Sequence, residues 1–195
     1  MVEGEVAGLV LAAGAGRRMG GPKALLRLSP TGPSLVETAV TRLREAGVTQ
    51  IHVVVGHSAA SVRQRAERVG AVVVEAEDWD EGMGASLRCG LDALEPTDAA
   101  AALLMLVDLP DVGSDVHARL LGAVEDEELR VVLARAAYDG RAGHPVLVGR
   151  DHWRLVRSHA VGDQGARGYF DANAPELVEC GDLATGRDID RPGDI

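Results

Sequence analysis

A glycine-rich and basic segment, VLAAGAGRRMGGPK, spans Val10 to Lys23 and includes the end of an apolar run. Backbone N–H groups left accessible by glycine can surround a phosphate, and the side chains of Arg17, Arg18 and Lys23 can neutralise its charge. Clamps of this kind stabilise the negative charge that develops during phosphoryl transfer. The segment therefore predicts a phosphate-binding loop. A mobile basic surface turn is the alternative interpretation, and it gives these residues no chemistry.

Lys23 is the single lysine among the 20 basic residues of the chain. Lysine is a compact point charge on a flexible stem, so it enters a crowded polyphosphate site more easily than the wide fork of arginine. Chance also explains one surviving lysine in an arginine-rich chain, but it leaves the rest of the loop unexplained.

The loop differs from the two best-known phosphate-binding motifs. A dinucleotide fingerprint, GxGxxG, would begin at Gly14 and Gly16, but Met19 occupies the position of its third glycine. The GxxxxGK[ST] motif fails because Pro22 directly precedes Lys23 and no serine or threonine follows. The segment is thus a phosphate-binding candidate of another type.

The hydrophobic pattern indicates the frame that positions this loop. Short, nearly continuous apolar runs are typical of strands buried on both faces, and they occur near Val6, Ile51, Ala71, Ala102 and Arg130. Helical patterns lie between them, over Ser34–Ala46, Ser58–Val69, Ala85–Leu94 and Ser114–Val124. This alternation predicts an α/β fold with a three-layer, doubly wound and mostly parallel sheet. The loop after its first strand would then lie at the carboxyl edge, where such folds bind ligands.

The last third of the chain lacks the regular alternation. A turn is predicted after Tyr138, then a strand over His144–Val148 and a helix from about Asp151. Because no linker, repeat or low-complexity segment precedes this region, we expect one domain over residues 1–195, with the last third completing a site.

Composition excludes several classes of protein. The formal net charge of −10 at pH 7 disfavours nucleic acids and anionic membranes as partners. The N-terminus lacks the basic region of a signal peptide, and the longest apolar run, Ala99–Val107, has about half the length of a membrane-spanning helix. Cys89 and Cys180 lack the spacing of a zinc site, and small buried side chains are the simpler interpretation. We therefore expect a cytoplasmic protein with no nucleic-acid or membrane partner.

The segment LAAGAGRRMGGPK, Leu11 to Lys23, resembles the LAAGxSxRMGxxK signature of MobA-like nucleotidyltransferases, most closely their molybdenum cofactor cytidylyltransferase branch. Gly16 replaces the usual serine, which removes a hydroxyl that could contact phosphate. Four further segments extend the resemblance to Ile195: DWDEGMGASL, LVDLPDV, GHPVLV and DIDRPGDI. The resemblance implies a Rossmann-like nucleotidyltransferase fold and nucleotide contacts from Leu11, Ala12, Ala13, Gly14, Ala15, Gly16, Arg17, Lys23, Gly82 and Ser86.

Asp108 is the candidate metal ligand, because it follows the buried run AALLMLV at the carboxyl end of a predicted strand. Mg²⁺ is commonly held by one or two carboxylates together with substrate phosphates and water. A turn or helix-cap aspartate is the alternative. The resemblance places a second ligand near Asp190, although Asp188 competes for that role and both could simply orient the terminal turn.

His144 and Arg167 are the candidate contacts for a second substrate. His144 precedes Pro145, which favours an extended backbone and could direct the imidazole into a cleft. Arg167 ends the segment GDQGAR and could hold an acidic group through two hydrogen bonds. A structural histidine and an exposed helix-start arginine are the alternatives, and the resemblance favours substrate contacts.

The resemblance implies a complete reaction. A terminal phosphate of a molybdopterin-type acceptor would attack the α-phosphorus of a nucleoside triphosphate, with Arg18, Lys23 and Mg²⁺ acting on the pyrophosphate that leaves. The sequence LAAG, rather than LAGG, favours CTP.

Two other functions remain open. Some MobA-like proteins are NAD(P)H-dependent reductases of blue azaquinone pigments (nicotine blue), although this chain lacks the standard dinucleotide fingerprint. A non-catalytic nucleotide sensor or molybdoenzyme chaperone would tolerate loss of Asp108, which is present. Transient contact with a molybdoenzyme or its chaperone is the macromolecular partner that the resemblance suggests.

Overall fold

The computed structural model describes residues 6–124 and 128–194. Its seven-stranded sheet has the order β3-β2-β1-β4-β6-β5-β7. The strands are β1 (Val6–Leu11), β2 (Gln50–Val55), β3 (Val72–Glu75), β4 (Ala101–Leu106), β5 (Leu133–Tyr138), β6 (Arg141–Gly149) and β7 (Glu176–Glu179). The α-helices are α1 (Leu35–Glu45), α2 (Ala59–Arg68), α3 (Met83–Leu94), α4 (Ser114–Ala123), α5 (Arg150–His159) and α6 (Arg167–Ala172).

The sheet is doubly wound, which confirms the predicted fold class. Strands β2 and β3 lie on one side of β1, and β4 lies on the other side. The crevice at such a reversal of strand order is where open α/β sheets bind ligands. Of the described strands, β6 alone runs antiparallel to its neighbours.

Helices cover both faces of the sheet. Buried residues of α1, α2 and α4 pack on one face, and those of α3, α5 and α6 pack on the other. Helix α1 begins at a capping box, in which the backbone N–H of Ser34 donates to Glu37 at 2.8 Å. In α3, a Cβ on Gly90 would lie 2.7 Å from the side chain of Leu9. This close approach packs α3 tightly against β1.

The C-terminal third differs most from the prediction. The strand expected from Arg130 begins at Leu133, and the strand expected at His144–Val148 begins at Arg141. The two strands form a hairpin whose turn residues, Asp139 and Gly140, have positive φ angles of 52° and 73°. Strand β7 and helix α6 were not predicted, because each is short and exposes charged side chains. No described helix has both the length and the apolar character that crossing a bilayer requires.

Candidate active site

The glycine-rich loop leaves β1 at the crevice and closes on itself. The N–H groups of Met19 and Gly21 both donate to the carbonyl oxygen of Gly16, at 2.8 and 3.3 Å. Gly16 has a φ angle of 59°, and a Cβ at this position would overlap the backbone of Gly21. The residue that replaces the usual serine is therefore required by the conformation of this loop.

Lys23 joins the loop to the carboxylates. Its Nζ donates to Oδ2 of Asp108 at 2.7 Å and to Oδ1 of Asp190 at 2.5 Å, and its side chain is only 17% exposed. Burial opposes the charge of Lys23, but the hydrogen bonds and charges of the two carboxylates outweigh it and raise the lysine pKa. The same hydrogen bond from Lys23 lowers the pKa of Asp190. Lys23 and Asp190 are thus both charged at neutral pH.

Asp188 completes a cluster of three carboxylates. One carboxylate oxygen from each of Asp108, Asp188 and Asp190 lies within 4.8 Å of the others. The backbone N–H of Ile189 donates to the carbonyl oxygen of Asp108 at 3.0 Å, and the Ile189 side chain is buried. This anchor holds the two terminal aspartates beside the end of β4. Clustered carboxylates are the hard oxygen donors that Mg²⁺ and Mn²⁺ prefer, so the residues fit a divalent cation.

The loop and Asp108 line one side of a cavity of about 400 Å³, a volume typical of small-molecule sites. Its lining contains nine of the ten residues predicted to contact nucleotide, together with further side chains. The complete lining is Leu11, Ala13, Gly14, Ala15, Gly16, Arg17, Lys23, Ala24, Trp79, Asp80, Gly82, Met83, Ser86, Leu106, Val107, Asp108 and Asp163.

Ala12 is the predicted nucleotide contact outside this lining. Its side chain is buried, and its N–H donates to the carbonyl oxygen of Val54 at 2.9 Å. The backbone N–H of Ala12 therefore belongs to the sheet and supports the loop from below.

The opposite wall is held by two close contacts with glycine. A Cβ on Gly56, at the end of β2, would lie 2.5 Å from the indole of Trp79. A Cβ on Gly82, whose φ is 112°, would lie 2.6 Å from the backbone of Gly162. The segment from Trp79 to Gly82 is therefore packed between the end of β2 and the chain that precedes α6.

Arg18 and Arg17 occupy different environments. The Arg18 side chain is 76% exposed, and its Nη1 lies 3.4 Å from Oδ2 of Asp190. Arg17 lines the cavity, whereas Arg18 is not among the described residues that do. The structure therefore places Arg18 at the outer edge of the carboxylate cluster and Arg17 nearer the cavity.

His144 and Arg167 lie outside the cavity lining, around Arg135 of β5. Burial, followed by the charge of Arg135, lowers the pKa of His144 to about 4. Arg135 was not predicted as a functional residue, although it is an isolated charge within an apolar strand. Asp80 and Asp163, which line the cavity, were not predicted either. Asp163 lies within the segment GDQGAR, in which only Arg167 was predicted to bind a substrate.

Comparison with known families gives a match over most of the chain. A model of the MobA-like NTP transferase domain matches residues 8–177. Nicotine blue oxidoreductase of Paenarthrobacter nicotinovorans is 36% identical over 201 residues, which cover 95% of this chain and 92% of that protein. A probable molybdenum cofactor guanylyltransferase of Bacillus cytotoxicus is 34% identical over 125 residues, which cover 63% of this chain and 58% of that protein.

Solved structures share the whole architecture. A nucleotidyl transferase from Methanothermobacter superposes with a TM-score of 0.79 at 25% identity, covering 97% of this chain and 93% of that one. A manganese complex of Rv0371C from Mycobacterium tuberculosis gives a TM-score of 0.67 at 25% identity, with coverage of 92% and 88%.

Proposed function

The chain belongs to the MobA-like NTP transferase family, and on this premise we propose that it transfers CMP from CTP to a phosphorylated, molybdopterin-type acceptor. The observation that carries the proposal is the convergence of Lys23, Asp108 and Asp190 beneath a glycine-rich loop. A nucleotidyl transferase requires this combination, because it must hold a triphosphate and neutralise the pyrophosphate that leaves.

The chain's own residues orient the reactants. Residues of the loop, including Arg17, line the volume that would receive the triphosphate, and Lys23 can move its charge from the carboxylates to a phosphate. Asp108, Asp188 and Asp190 would hold Mg²⁺, which neutralises phosphate charge when bound. A bond forms between an oxygen of the acceptor phosphate and the α-phosphorus, and the bond from that phosphorus to the pyrophosphate oxygen breaks. No protein nucleophile is needed, so positioning provides much of the catalysis.

The choice of base rests on the loop sequence LAAG, which resembles the cytidylyl branch. The relative from Bacillus cytotoxicus, whose name specifies guanylyl transfer, supports a molybdenum cofactor acceptor and points to GTP. CTP and GTP are therefore the two nucleotides to compare.

A second function is favoured by one specific observation, the 36% identity to nicotine blue oxidoreductase across nearly the whole chain. In that case the cavity would hold the nucleotide part of NAD(P)H, and an azaquinone pigment would accept hydride. Hydride transfer gives the carboxylate cluster no direct function, whereas nucleotidyl transfer uses all three aspartates.

One assay separates the two functions. The protein is incubated with Mg²⁺, molybdopterin and each nucleoside triphosphate in turn, and pyrophosphate release is measured. A parallel arm follows NADH and NADPH oxidation with a blue azaquinone. Release of pyrophosphate that depends on both CTP and acceptor supports the proposal. Pigment-dependent NAD(P)H oxidation without pyrophosphate from any nucleotide would replace it with the reductase.

A further inference from the structure

A second cationic cluster lies around Arg135, separate from Lys23. Leu133, two residues earlier on β5, packs in the core formed with α3, α5 and α6, and side chains two residues apart on a strand share a face. The Nε and Nη2 atoms of Arg135 donate to the carbonyl oxygen of Gly143 at 3.0 and 2.8 Å. Its Cζ lies 5.9 Å from the ring centroid of Phe170. These contacts hold the guanidinium in one orientation.

Arg135 is half-buried, yet it forms no ion pair with any carboxylate of residues 6–124 or 128–194. Burial and then the charge of Arg167 lower its pKa, and the charge of Asp171 on α6 only partly opposes them. Within those residues, Nη1 of Arg135 has no hydrogen-bond acceptor. The Nη1 donors are therefore not used by the described residues and can bind an anion.

A bulge in the β5–β6 hairpin creates this arrangement. Arg135 pairs with Val146 and Ala137 pairs with Ala142, so three residues of β6 lie opposite one residue of β5. A Cβ on Gly143, within the bulge, would lie 2.7 Å from the ring of Tyr138. The Tyr138 hydroxyl also donates to the carbonyl oxygen of His144 at 2.7 Å. Bulges redirect side chains and are frequent beside active sites.

We propose that Arg135, assisted by Arg167 and His144, binds a second oxyanion of the acceptor that takes no part in the transfer. The inference rests on the proposed function. Strand β5 lies two strands away from β4, which carries Asp108 at its end, and two strand spacings are about 10 Å. A reacting phosphate must lie within about 3.5 Å of the atom that it attacks. The group at Arg135 is therefore a different one, and the acceptor is anionic at two separated positions.

The chemistry of the cluster defines the group that it binds. A fixed guanidinium with free N–H donors suits the parallel oxygens of a carboxylate or a phosphate. His144, with its pKa lowered to about 4, is neutral near pH 7 and can add a hydrogen bond without further charge. A carboxylate and a phosphate share this oxyanion chemistry, and one probe of each kind distinguishes them.

Isothermal titration calorimetry tests the subsite with inorganic phosphate and malonate, on protein saturated with CTP and Mg²⁺. We expect Arg135→Gln to lower the affinity for the tighter-binding probe by at least about tenfold and to leave the affinity for CTP unchanged. Arg135→Lys, which keeps the charge but loses the fork, should give an intermediate value. Arg141→Gln removes an exposed arginine of the same hairpin and should bind like the wild type. If phosphate binds more tightly than malonate, the subsite is specific for a phosphate group. If malonate binds more tightly, it is specific for a carboxylate.

The proposal is overturned by equal binding in wild type and Arg135→Gln, or by the absence of saturable binding of either probe to the wild type. Thermal unfolding checks the fold of each variant, and Arg135→Lys carries the test if Arg135→Gln unfolds. The phosphate titration is repeated without CTP on Lys23→Ala, a variant in which the site for the nucleotide phosphates is weakened. The Arg135 subsite is then tested even where CTP does not bind and the proposed function has failed.

Discussion

The two halves of the site are built in opposite ways. The carboxylate half, formed by the glycine-rich loop with Lys23 and Asp108, pairs the Lys23 cation directly with two carboxylates, those of Asp108 and Asp190. The hairpin half, formed by β5, β6 and α6, leaves Arg135 half-buried without an anion among the described residues. Lys23 must leave its carboxylates in order to bind a phosphate, whereas Arg135 can bind an anion without breaking an ion pair. This difference predicts separate effects of mutation in the two halves.

The largest effect is expected at Asp108. Its position is set by the buried strand β4, whereas Asp190 lies in a terminal segment and is less rigidly held. A rigid ligand binds metal without an ordering cost. Asp108→Asn should lower pyrophosphate release by about a thousandfold, or 4 kcal/mol. Asp190→Asn should raise the Mg²⁺ concentration required and leave measurable turnover at saturation.

The reverse result would show that the carboxylates have been assigned wrongly: a dead Asp190→Asn enzyme beside a nearly normal Asp108→Asn enzyme. Mg²⁺ titrations of both variants measure this directly. Circular dichroism provides the control, because Lys23 pairs with both aspartates in the free protein.

Lys23→Ala should reduce turnover by about a hundredfold, the cost of removing one preorganised donor to developing charge. The exposed Arg18 should matter less, so Arg18→Ala should cost about tenfold, or 1.4 kcal/mol. Steady-state kinetics with intact far-UV dichroism measure both variants. Normal turnover in the two variants would exclude a cationic clamp in the carboxylate half.

Acid should lower the stability of the fold through His117. This residue of α4 is fully buried, and neither ring nitrogen has a hydrogen-bond partner in the described part of the chain. Burial lowers its pKa from 6.5 to about 4. Because the folded pKa is the lower one, this stability is complete above pH 6.5 and is lost as the pH falls toward 4. The loss at pH 5 should be roughly 2 kcal/mol.

Urea unfolding at pH 7 and pH 5 measures this loss. His117→Leu should remove most of it, whereas His159→Asn, at an exposed position of α5, should keep it. An equal pH dependence in wild type and His117→Leu would mean that other groups cause the acid sensitivity.

The smallest expected effect is the preference for one base. CTP with Mg²⁺ should raise the midpoint of thermal unfolding more than GTP at equal concentration, because a ligand that binds only the native state stabilises it by mass action. A tenfold difference in affinity corresponds to about 1.4 kcal/mol. Greater stabilisation by GTP would assign the protein to guanylyl transfer and leave the carboxylate half unchanged.

The contrast between the halves also explains what could be predicted from sequence. The loop is contiguous, and Asp108 directly follows an apolar run, so both positions follow from local pattern alone. Their partner Asp190 was suggested only by resemblance. Its position depends on the hydrogen bond from the N–H of Ile189 to the carbonyl oxygen of Asp108, which joins distant parts of the chain.

The hairpin half was harder to predict, because its chemistry depends on register. The face that Arg135 presents is set by pairing with β6, and the bulge between Arg135 and Ala137 has no clear signature in composition. Strand β7 was missed for a related reason, since four residues with glutamate at both ends give too little periodicity.

The most direct test of the central claim is the identity of the product. Wild type and Asp108→Asn are incubated with CTP, Mg²⁺ and molybdopterin, and the acceptor is examined by mass spectrometry. The account predicts that wild type adds the mass of one CMP unit to the acceptor, that pyrophosphate appears in equal amount, and that Asp108→Asn forms almost no product. An acceptor whose mass is unchanged with every nucleoside triphosphate, in protein that oxidises NAD(P)H with an azaquinone, would contradict it.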